Sequence, residues 1–219
     1  MLAPPRRPEI DHRTIKLVVG VIALSLASLT SLFASSPLTS ISASYWEGGW
    51  SESIFVGFLF AIAAFLLAYN GRSENEMVLS KIASVAGLSV ALFPCGCDGH
   101  VVRIPYVHYV AAATLFLILA VFCYDFFKRA SRKGHQQAKR RAILYVLCGA
   151  AILLSIGVLA FDGVSGHHLA MRIPRLVFYG EAVGLIAFGI SWLTASRVLP
   201  GLTRADERFS PFSDENPPD

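Results

Sequence analysis

Two apolar runs joined by a short basic segment decide the fold. Residues 106–127 read YVHYVAAATLFLILAVFCYDFF, residues 128–141 read KRASRKGHQQAKRR, and residues 142–161 read AILYVLCGAAILLSIGVLAF. A helix that crosses a bilayer needs about 20 mainly apolar residues, and both apolar runs have that length. They therefore predict a helical hairpin in a membrane, with residues 128–141 at one of its surfaces.

Four more stretches have a similar length and composition. The chain of 219 residues is 54% hydrophobic and only 16% charged, whereas soluble domains average roughly 25% charged residues. A soluble core of this size cannot bury so much apolar surface. We therefore predict an all-α, polytopic membrane bundle. Its six transmembrane helices lie at residues 17–35, 53–70, 77–94, 106–127, 142–161 and 176–196.

The arginines and lysines predict which side of the membrane is cytoplasmic. In a six-helix topology all but three of the 19 lie on one side, and the exceptions are Arg103, Arg172 and Arg175. Positive charge is retained on the cytoplasmic side, so we predict a multi-pass protein of the bacterial inner membrane with both termini in the cytoplasm. Residues 128–141 then contact anionic lipid, and they lack the interleaved aromatic residues typical of nucleic-acid binding.

This topology divides the chain into a cytoplasmic N-terminal segment (1–16), a transmembrane domain (17–198) and a disordered cytoplasmic tail (199–219). Disorder is predicted for the tail because it is polar and contains prolines. The first span has an alternative interpretation as a signal peptide, since it combines a basic start, an apolar run and small residues. Its apolar run is long for a signal peptide, which favours retention of the span.

Glycine spacing predicts where helices touch. Gly180 and Gly184 lie four residues apart in the sixth span, and small residues let helix backbones approach closely. Such a surface suits contacts within the bundle. It also suits a homo-oligomer or a partner membrane protein, in addition to the surrounding membrane lipid.

Reactive side chains accumulate on the predicted outer side of the membrane, most of them at the outer ends of the third to sixth spans. They are Glu47, Cys95, Cys97, Asp98, His100, His108, Asp162, His167 and His168. Thiolate and imidazole ligands suit zinc, and a carboxylate can complete the coordination shell. A zinc ion with an open position converts a bound water molecule into a nucleophile near neutral pH.

We therefore predict a zinc site with catalytic carboxylates. The predicted catalytic residues are Asp98 and Glu181, and the predicted metal ligands are His100, His108, His167 and His168. Two alternatives stay open. In the first, Cys95 and Cys97 form a disulfide, with each other or with another chain. In the second, the whole set consists of solvated loop residues that bind nothing.

Glu181 lies inside the sixth predicted span. An ionisable side chain is costly there and usually faces the bundle interior or a cavity. Its predicted partner is Arg175 or His108. The residue is then either a structural, hydrogen-bonded carboxyl group or a pocket acid that relays protons.

Four short stretches, together with Glu181, resemble an uncharacterised bacterial family of six-helix membrane proteins. They are residues 40–45 (SISASY), 55–57 (FVG), 90–94 (VALFP) and 187–193 (AFGISWL). A more distant resemblance is to transmembrane hydrolases of the alkaline ceramidase type, which place His, Asp and Ser around zinc at one membrane face. That resemblance implies similar parts for His108, Asp98 and His167 or His168. The paired histidines of that superfamily's final helix are absent, and Glu181 stands in the sixth span instead.

Three functions are compatible with these features, and whether the protein is an enzyme stays open at this point. The first is a metal-dependent lipid hydrolase with its site at the outer membrane face. The second is a non-enzymatic membrane scaffold or accessory subunit. The third is a small proton-coupled transporter that uses Glu181.

Fusions to alkaline phosphatase test the predicted orientation, because this enzyme needs disulfides that do not form in the cytoplasm. We expect a fusion at Gly134 to be inactive and fusions at Gly99 and Gly166 to be active, measured as phosphatase activity per expressed fusion. An active fusion at Gly134 would contradict the orientation.

Overall fold

The computed structural model describes residues 11–211, so the predicted features within residues 1–10 and 212–219 lie outside the described residues. Over the described range the chain forms eight α-helices, two short 3-10 turns and no strand. The α-helices are α1 (His12–Leu32), α2 (Ser44–Glu47), α3 (Gly49–Ala68), α4 (Glu74–Leu92), α5 (Val107–Ser131), α6 (Gln136–Val164), α7 (His168–Arg172) and α8 (Leu176–Ala195).

Six of these helices, α1, α3, α4, α5, α6 and α8, are long and apolar enough to cross a membrane. They coincide with the six predicted spans, so the predicted all-α, multi-pass architecture is confirmed. The orientation of the bundle relative to the cytoplasm stays a prediction. Below, "outer" and "inner" name the two ends according to that prediction.

The six long helices form a closed ring. Each packs against the next long helix along the chain, and α8 returns to pack against α1. α5 also contacts α8 across the ring. Exposed apolar side chains such as Leu92, Leu147 and Leu154 lie on the outside of the bundle, a surface that suits hydrocarbon rather than water.

An aromatic cluster fills the inner half of the ring. Trp192 is fully buried, and its ring centroid lies 5.3 Å from Tyr69, 5.3 Å from Phe188, 6.0 Å from Phe122 and 6.2 Å from Phe126. These tilted and edge-on contacts are favourable arrangements of aromatic rings. The five side chains, called the aromatic cluster below, pack the middle of the bundle toward its inner end.

The basic segment 128–141 is mostly helical, where the sequence predicts a connection between spans. α5 continues to Ser131 and α6 begins at Gln136, so only residues 132–135 join them. A helix can extend beyond the hydrocarbon without cost because its backbone hydrogen bonds are internal. Lys128 and Arg129 lie in the last turn of α5, where positive charge interacts favourably with the helix dipole.

The predicted disordered tail is folded where the structure describes it. Residues 199–211 form two 3-10 turns against the inner end of the bundle. Glu207 forms ion pairs with Lys133 at 2.6 Å, Arg141 at 3.2 Å and Arg197 at 2.7 Å. Composition does not reveal this order because the stabilising partners of Glu207 lie between α5 and α6, on α6 and just after α8.

A very close helix contact joins α1 to α8. A Cβ atom built on Gly20 would lie 2.9 Å from the backbone nitrogen of Leu193, and one built on Gly189 would lie 2.7 Å from Cγ of Leu24. The first of these neighbours is backbone, which cannot rotate away. Only glycine therefore permits this approach of the two helices.

Gly180 and Gly184 also lie at helix contacts, as their spacing predicts. A Cβ atom at Gly180 would lie 2.9 Å from the side chain of Leu159, and one at Gly184 would lie 2.7 Å from the Phe116 ring. The spacing therefore serves packing within this bundle.

Replacing Gly20 with alanine tests the α1–α8 contact. We expect Gly20→Ala to lower the free energy of unfolding by about 1–3 kcal/mol, because the helices must separate to admit the methyl group. Gly57→Ala is the matched control, since a Cβ atom at this helical glycine meets nothing within 4 Å. The control should be neutral or stabilising by up to about 1 kcal/mol. Unfolding in detergent micelles measures both, and equal losses would contradict the contact.

Candidate functional site

Non-helical backbone enters the bundle between α1 and α2. Leu38, Ile41 and Ala43 are buried there, although none of them belongs to a helix. Buried N–H and C=O groups must find hydrogen-bond partners within the protein, above all at membrane depth. The start of α8 supplies several of these partners.

The first partners come from the N-terminal end of α8. Arg175 donates from Nε to the carbonyl oxygen of Leu38 at 2.7 Å. The backbone N–H of Phe178 donates to the carbonyl oxygen of Thr39 at 3.0 Å. Arg175 also stacks on the Phe178 ring, with its guanidinium carbon 4.2 Å from the ring centroid. These contacts hold the entering chain against the helix.

Glu181, one turn further along α8, binds the next part of the same segment. Its Oε2 atom accepts hydrogen bonds from the backbone N–H groups of Ile41 at 2.5 Å and Ser42 at 3.2 Å. Its Oε1 atom lies 2.8 Å from the Ser42 hydroxyl. A single carboxyl group thus satisfies two backbone donors that no helix or sheet serves.

The Ser42 hydroxyl links Glu181 to His108. Ser42 Oγ lies 3.0 Å from Nε2 of His108, and both residues are buried, with exposed fractions of 6% and 4%. The second ring nitrogen, Nδ1, lies 2.8 Å from the carbonyl oxygen of Phe93. A carbonyl oxygen only accepts hydrogen bonds, so Nδ1 carries a proton.

The bond directions allow two arrangements of protons along this chain, and the summed charge of Glu181 and His108 is zero in both. In the first, protonated Glu181 donates to Ser42, and Ser42 donates to Nε2 of neutral His108. In the second, doubly protonated His108 donates to Ser42, and Ser42 donates to ionised Glu181. Passing from the first to the second moves one proton from Glu181 to His108 through the Ser42 hydroxyl.

The three side chains line a cavity of about 540 Å³ at the outer end of the bundle. Much of its wall is apolar and comes from α5, α6 and α8. This part includes Ala112, Ala113, Phe116, Ile156, Leu159 and Val177. A cavity of this size that combines an apolar wall with a few converging polar groups is typical of a small-molecule site.

Two of the four predicted metal ligands, His108 and His167, line this cavity, but the predicted set does not form a metal site. Among residues 11–211, no group of three or more His, Cys, Asp or Glu side chains is placed to hold a metal ion. His100 stacks on Trp46 with the ring centroids 4.3 Å apart, while His108 lies inside the bundle. His167 contacts Asp162 at 3.3 Å, and His168 is exposed at the start of α7.

The two predicted catalytic carboxylates are also separated. Asp98 is exposed, accepts a hydrogen bond from the Thr39 hydroxyl at 2.9 Å, and is not part of the cavity wall. Glu181 lies in that wall. Of its two predicted partners, His108 is reached through Ser42, while Arg175 binds Leu38 instead.

Cys95 and Cys97 form a disulfide with each other, which is one of the alternatives that the sequence left open. The metal ligand is the thiolate, and a sulfur held in a disulfide is not one. Trp46 braces this segment by donating from its indole nitrogen to the carbonyl oxygen of Cys95 at 2.9 Å. Both cysteines contribute to the cavity wall.

Sequence reasoning gave Ser42 no role. The available signal was weak: three serines, at positions 40, 42 and 44, follow an apolar span. The contacts of Ser42 lie 66 residues away at His108 and 139 residues away at Glu181. No local spacing rule joins residues so far apart.

Comparison of the chain with protein-family models, with curated proteins and with solved structures gives no match.

Replacing Glu181 tests its part in holding the turn at residues 41 and 42. Glu181→Ala leaves the N–H groups of Ile41 and Ser42 without an acceptor, and a buried unsatisfied group costs about 1–3 kcal/mol. We expect a loss of at least about 2 kcal/mol in the free energy of unfolding. Glu181→Gln keeps an acceptor oxygen and should lose less than half as much. Wild-type stability of Glu181→Ala in micelles would show that the carboxyl group does not support the turn.

Proposed function

We propose that this membrane protein is a hydrolase that cleaves an ester of an amphiphilic molecule at its outer face, with Ser42 as nucleophile and His108 as general base. The 3.0 Å contact between Ser42 Oγ and His108 Nε2 at the cavity wall carries the proposal. Nucleophilic catalysis needs a hydroxyl within hydrogen-bond reach of a base that a third group orients. The carbonyl oxygen of Phe93 is that third group here.

In the proposed reaction, Ser42 Oγ attacks the carbonyl carbon of the ester while its proton passes to His108 Nε2. His108 then returns this proton to the departing alkoxide, and the acyl group stays on Ser42. A water molecule attacks the acyl carbon and gives a proton to His108. His108 passes that proton back to Ser42 as the carboxylic acid leaves.

The backbone around Ser42 supplies hydrogen-bond donors for the negative charge that develops on the carbonyl oxygen of the ester. The N–H groups of Ile41 and Ser42 converge on one atom, Oε2 of Glu181. Two donors aimed at a single oxygen are the parts of an oxyanion hole. In this proposal the substrate oxygen displaces Glu181 from them, so Glu181 is a positioning residue that holds the turn between reaction cycles.

The cavity wall favours a substrate with a hydrocarbon portion. Side chains such as Phe116, Ile156 and Leu159 offer it no hydrogen bonds, and burial of apolar surface contributes roughly 25 cal/mol per Å². An acyl ester of membrane lipid has this chemistry. The zinc-dependent form of the hydrolase is not carried forward, because no three of the predicted ligands converge on one point among residues 11–211.

A proton-coupled carrier is the second candidate, and the chain from Glu181 through Ser42 to His108 favours it because this chain can pass a proton. The aromatic cluster lies between this chain and the inner end of the bundle. A carrier would therefore need a second conformation in which that cluster opens. Flux into liposomes that is unchanged by Glu181→Gln would eliminate the carrier.

Ser42→Ala tests the hydrolase directly. We expect the wild-type protein in detergent to hydrolyse p-nitrophenyl octanoate and to be labelled at Ser42 by a fluorophosphonate probe. Ser42→Ala should lose the labelling and lower kcat/KM at least about 100-fold, because the nucleophile is gone. His108→Gln should slow both reactions by a similar factor.

Ser40→Ala is the matched control. Ser40 lines the same cavity, but its hydroxyl accepts a hydrogen bond from the N–H of Ala43 at 3.0 Å and has no hydrogen bond to His108. This variant should keep most of the wild-type activity. If the wild-type protein is neither labelled nor faster than Ser42→Ala, the hydrolase is excluded and the scaffold stands as the simplest function.

A further inference from the structure

A second cavity lies at the inner end of the bundle, on the far side of the aromatic cluster. It has a volume of about 230 Å³, and Phe126 and Tyr145 form part of its wall. We call it the basic cavity. Its cationic lining within residues 11–211 consists of Lys16, Arg72, Arg129, Arg132, Lys133, Arg141 and Arg197.

Several of these cations lie inside the protein, unlike the arginines of an ordinary topology anchor. Arg141 is only 1% exposed, and the side chain of Arg197 is 17% exposed. Taking a guanidinium group out of water is costly unless negative charge compensates it. The buried members of this lining therefore require negative charge inside the cavity or at its edge.

The described part of the chain provides only partial compensation. Glu76 pairs with Arg129, and Glu207 pairs with Lys133, Arg141 and Arg197. Even if Lys16 is set aside, the lining has six cations against these two carboxylates, and three of the six, Arg72, Arg132 and Lys133, are exposed at its edge. The cavity therefore carries an excess of positive charge among residues 11–211.

Glu207 shows how the cations of this cavity affect the ionisation of a carboxyl group. Burial opposes its ionisation, but the hydrogen bond from Lys133 and the charges of Arg197 and Arg141 outweigh burial and lower the pKa of Glu207 to about 2. The carboxylate is therefore ionised at neutral pH. It reaches these cations of the lining because residues 199–211 fold over this end, where Arg141 also donates to the carbonyl oxygen of Leu202 at 2.5 Å.

We propose that the basic cavity binds a phosphate group, carried by a phospholipid or by a soluble phosphate ester, and that Glu207 competes with this ligand for Lys133, Arg141 and Arg197. The planar fork of a guanidinium group matches phosphate oxygens in bidentate fashion. A phosphate offers more acceptor oxygens than a carboxylate and carries up to two negative charges. It therefore neutralises more of the cavity lining than Glu207 does.

The test measures binding by the full-length protein in nanodiscs of phosphatidylcholine, whose head group is zwitterionic. The probes are inorganic phosphate and short-chain phosphatidic acid, with chloride at equal ionic strength as the reference. Titration calorimetry and the shift in Tm are the measurements. We expect saturable binding of at least one probe and no saturable response to chloride.

Three substitutions locate the site. Glu207→Gln should tighten binding roughly threefold or more, because the competing charge is removed. Arg197→Gln should weaken it by about tenfold, the effect of losing one charge-assisted hydrogen bond. Arg140→Gln is the matched control, since Arg140 is exposed on α6 beside Arg141 but does not line the cavity. This variant should bind the phosphate probes with a Kd within twofold of the wild-type value.

The outcomes separate the two sources of phosphate. Binding of phosphatidic acid alone supports a lipid head group, and binding of inorganic phosphate supports a soluble ester. Absence of saturable binding in both the wild type and Glu207→Gln overturns the proposal. Equal weakening of binding in Arg140→Gln and Arg197→Gln also overturns the proposal. That result would show that binding depends on the general surface charge and not on the basic cavity. Glu207→Gln keeps the test decisive if Arg197→Gln fails to fold.

Discussion

The outer site depends on one constraint: non-helical backbone inside a membrane bundle must have its hydrogen bonds satisfied by the protein. Residues 38–42 form such a segment, and α8 satisfies it through Arg175, Phe178 and Glu181. An isolated acid at this depth would be costly, but here it meets two N–H groups and a hydroxyl. The same contacts place Ser42 beside His108, so the chemistry of the site follows from the way the backbone is stabilised.

The bundle has a different character at each end, and the aromatic cluster separates the two. The outer cavity is largely apolar and contains one short chain of hydrogen-bonded side chains. The inner cavity is crowded with guanidinium and ammonium groups and is partly neutralised by Glu207. Close contacts such as that of Gly20 with α8 make the intervening core tight. The two cavities are therefore separate in this conformation.

The candidate site was predictable only in part. The position of Glu181 within a span correctly indicated a group that faces the interior, because lipid does not tolerate an exposed acid. His108 was one of its two predicted partners, and the connection through Ser42 was not foreseen. Grouping the histidines as zinc ligands relied on their sharing one membrane side. Sharing a side does not bring side chains within the 2–2.3 Å reach of a metal, and His100 and His168 have other surroundings.

Apolar length and helix geometry are local properties, so the six helices could be predicted from the order of the residues alone, with their ends within six residues of the observed ones. Which side chains meet is a property of the folded bundle. Ser42, His108 and Glu181 come from a buried turn, α5 and α8, and Glu207 reaches Arg141 because residues 199–211 fold back over the inner end. Such contacts depend on how helices pack and how buried polar groups are paired, and no periodicity along the chain records either.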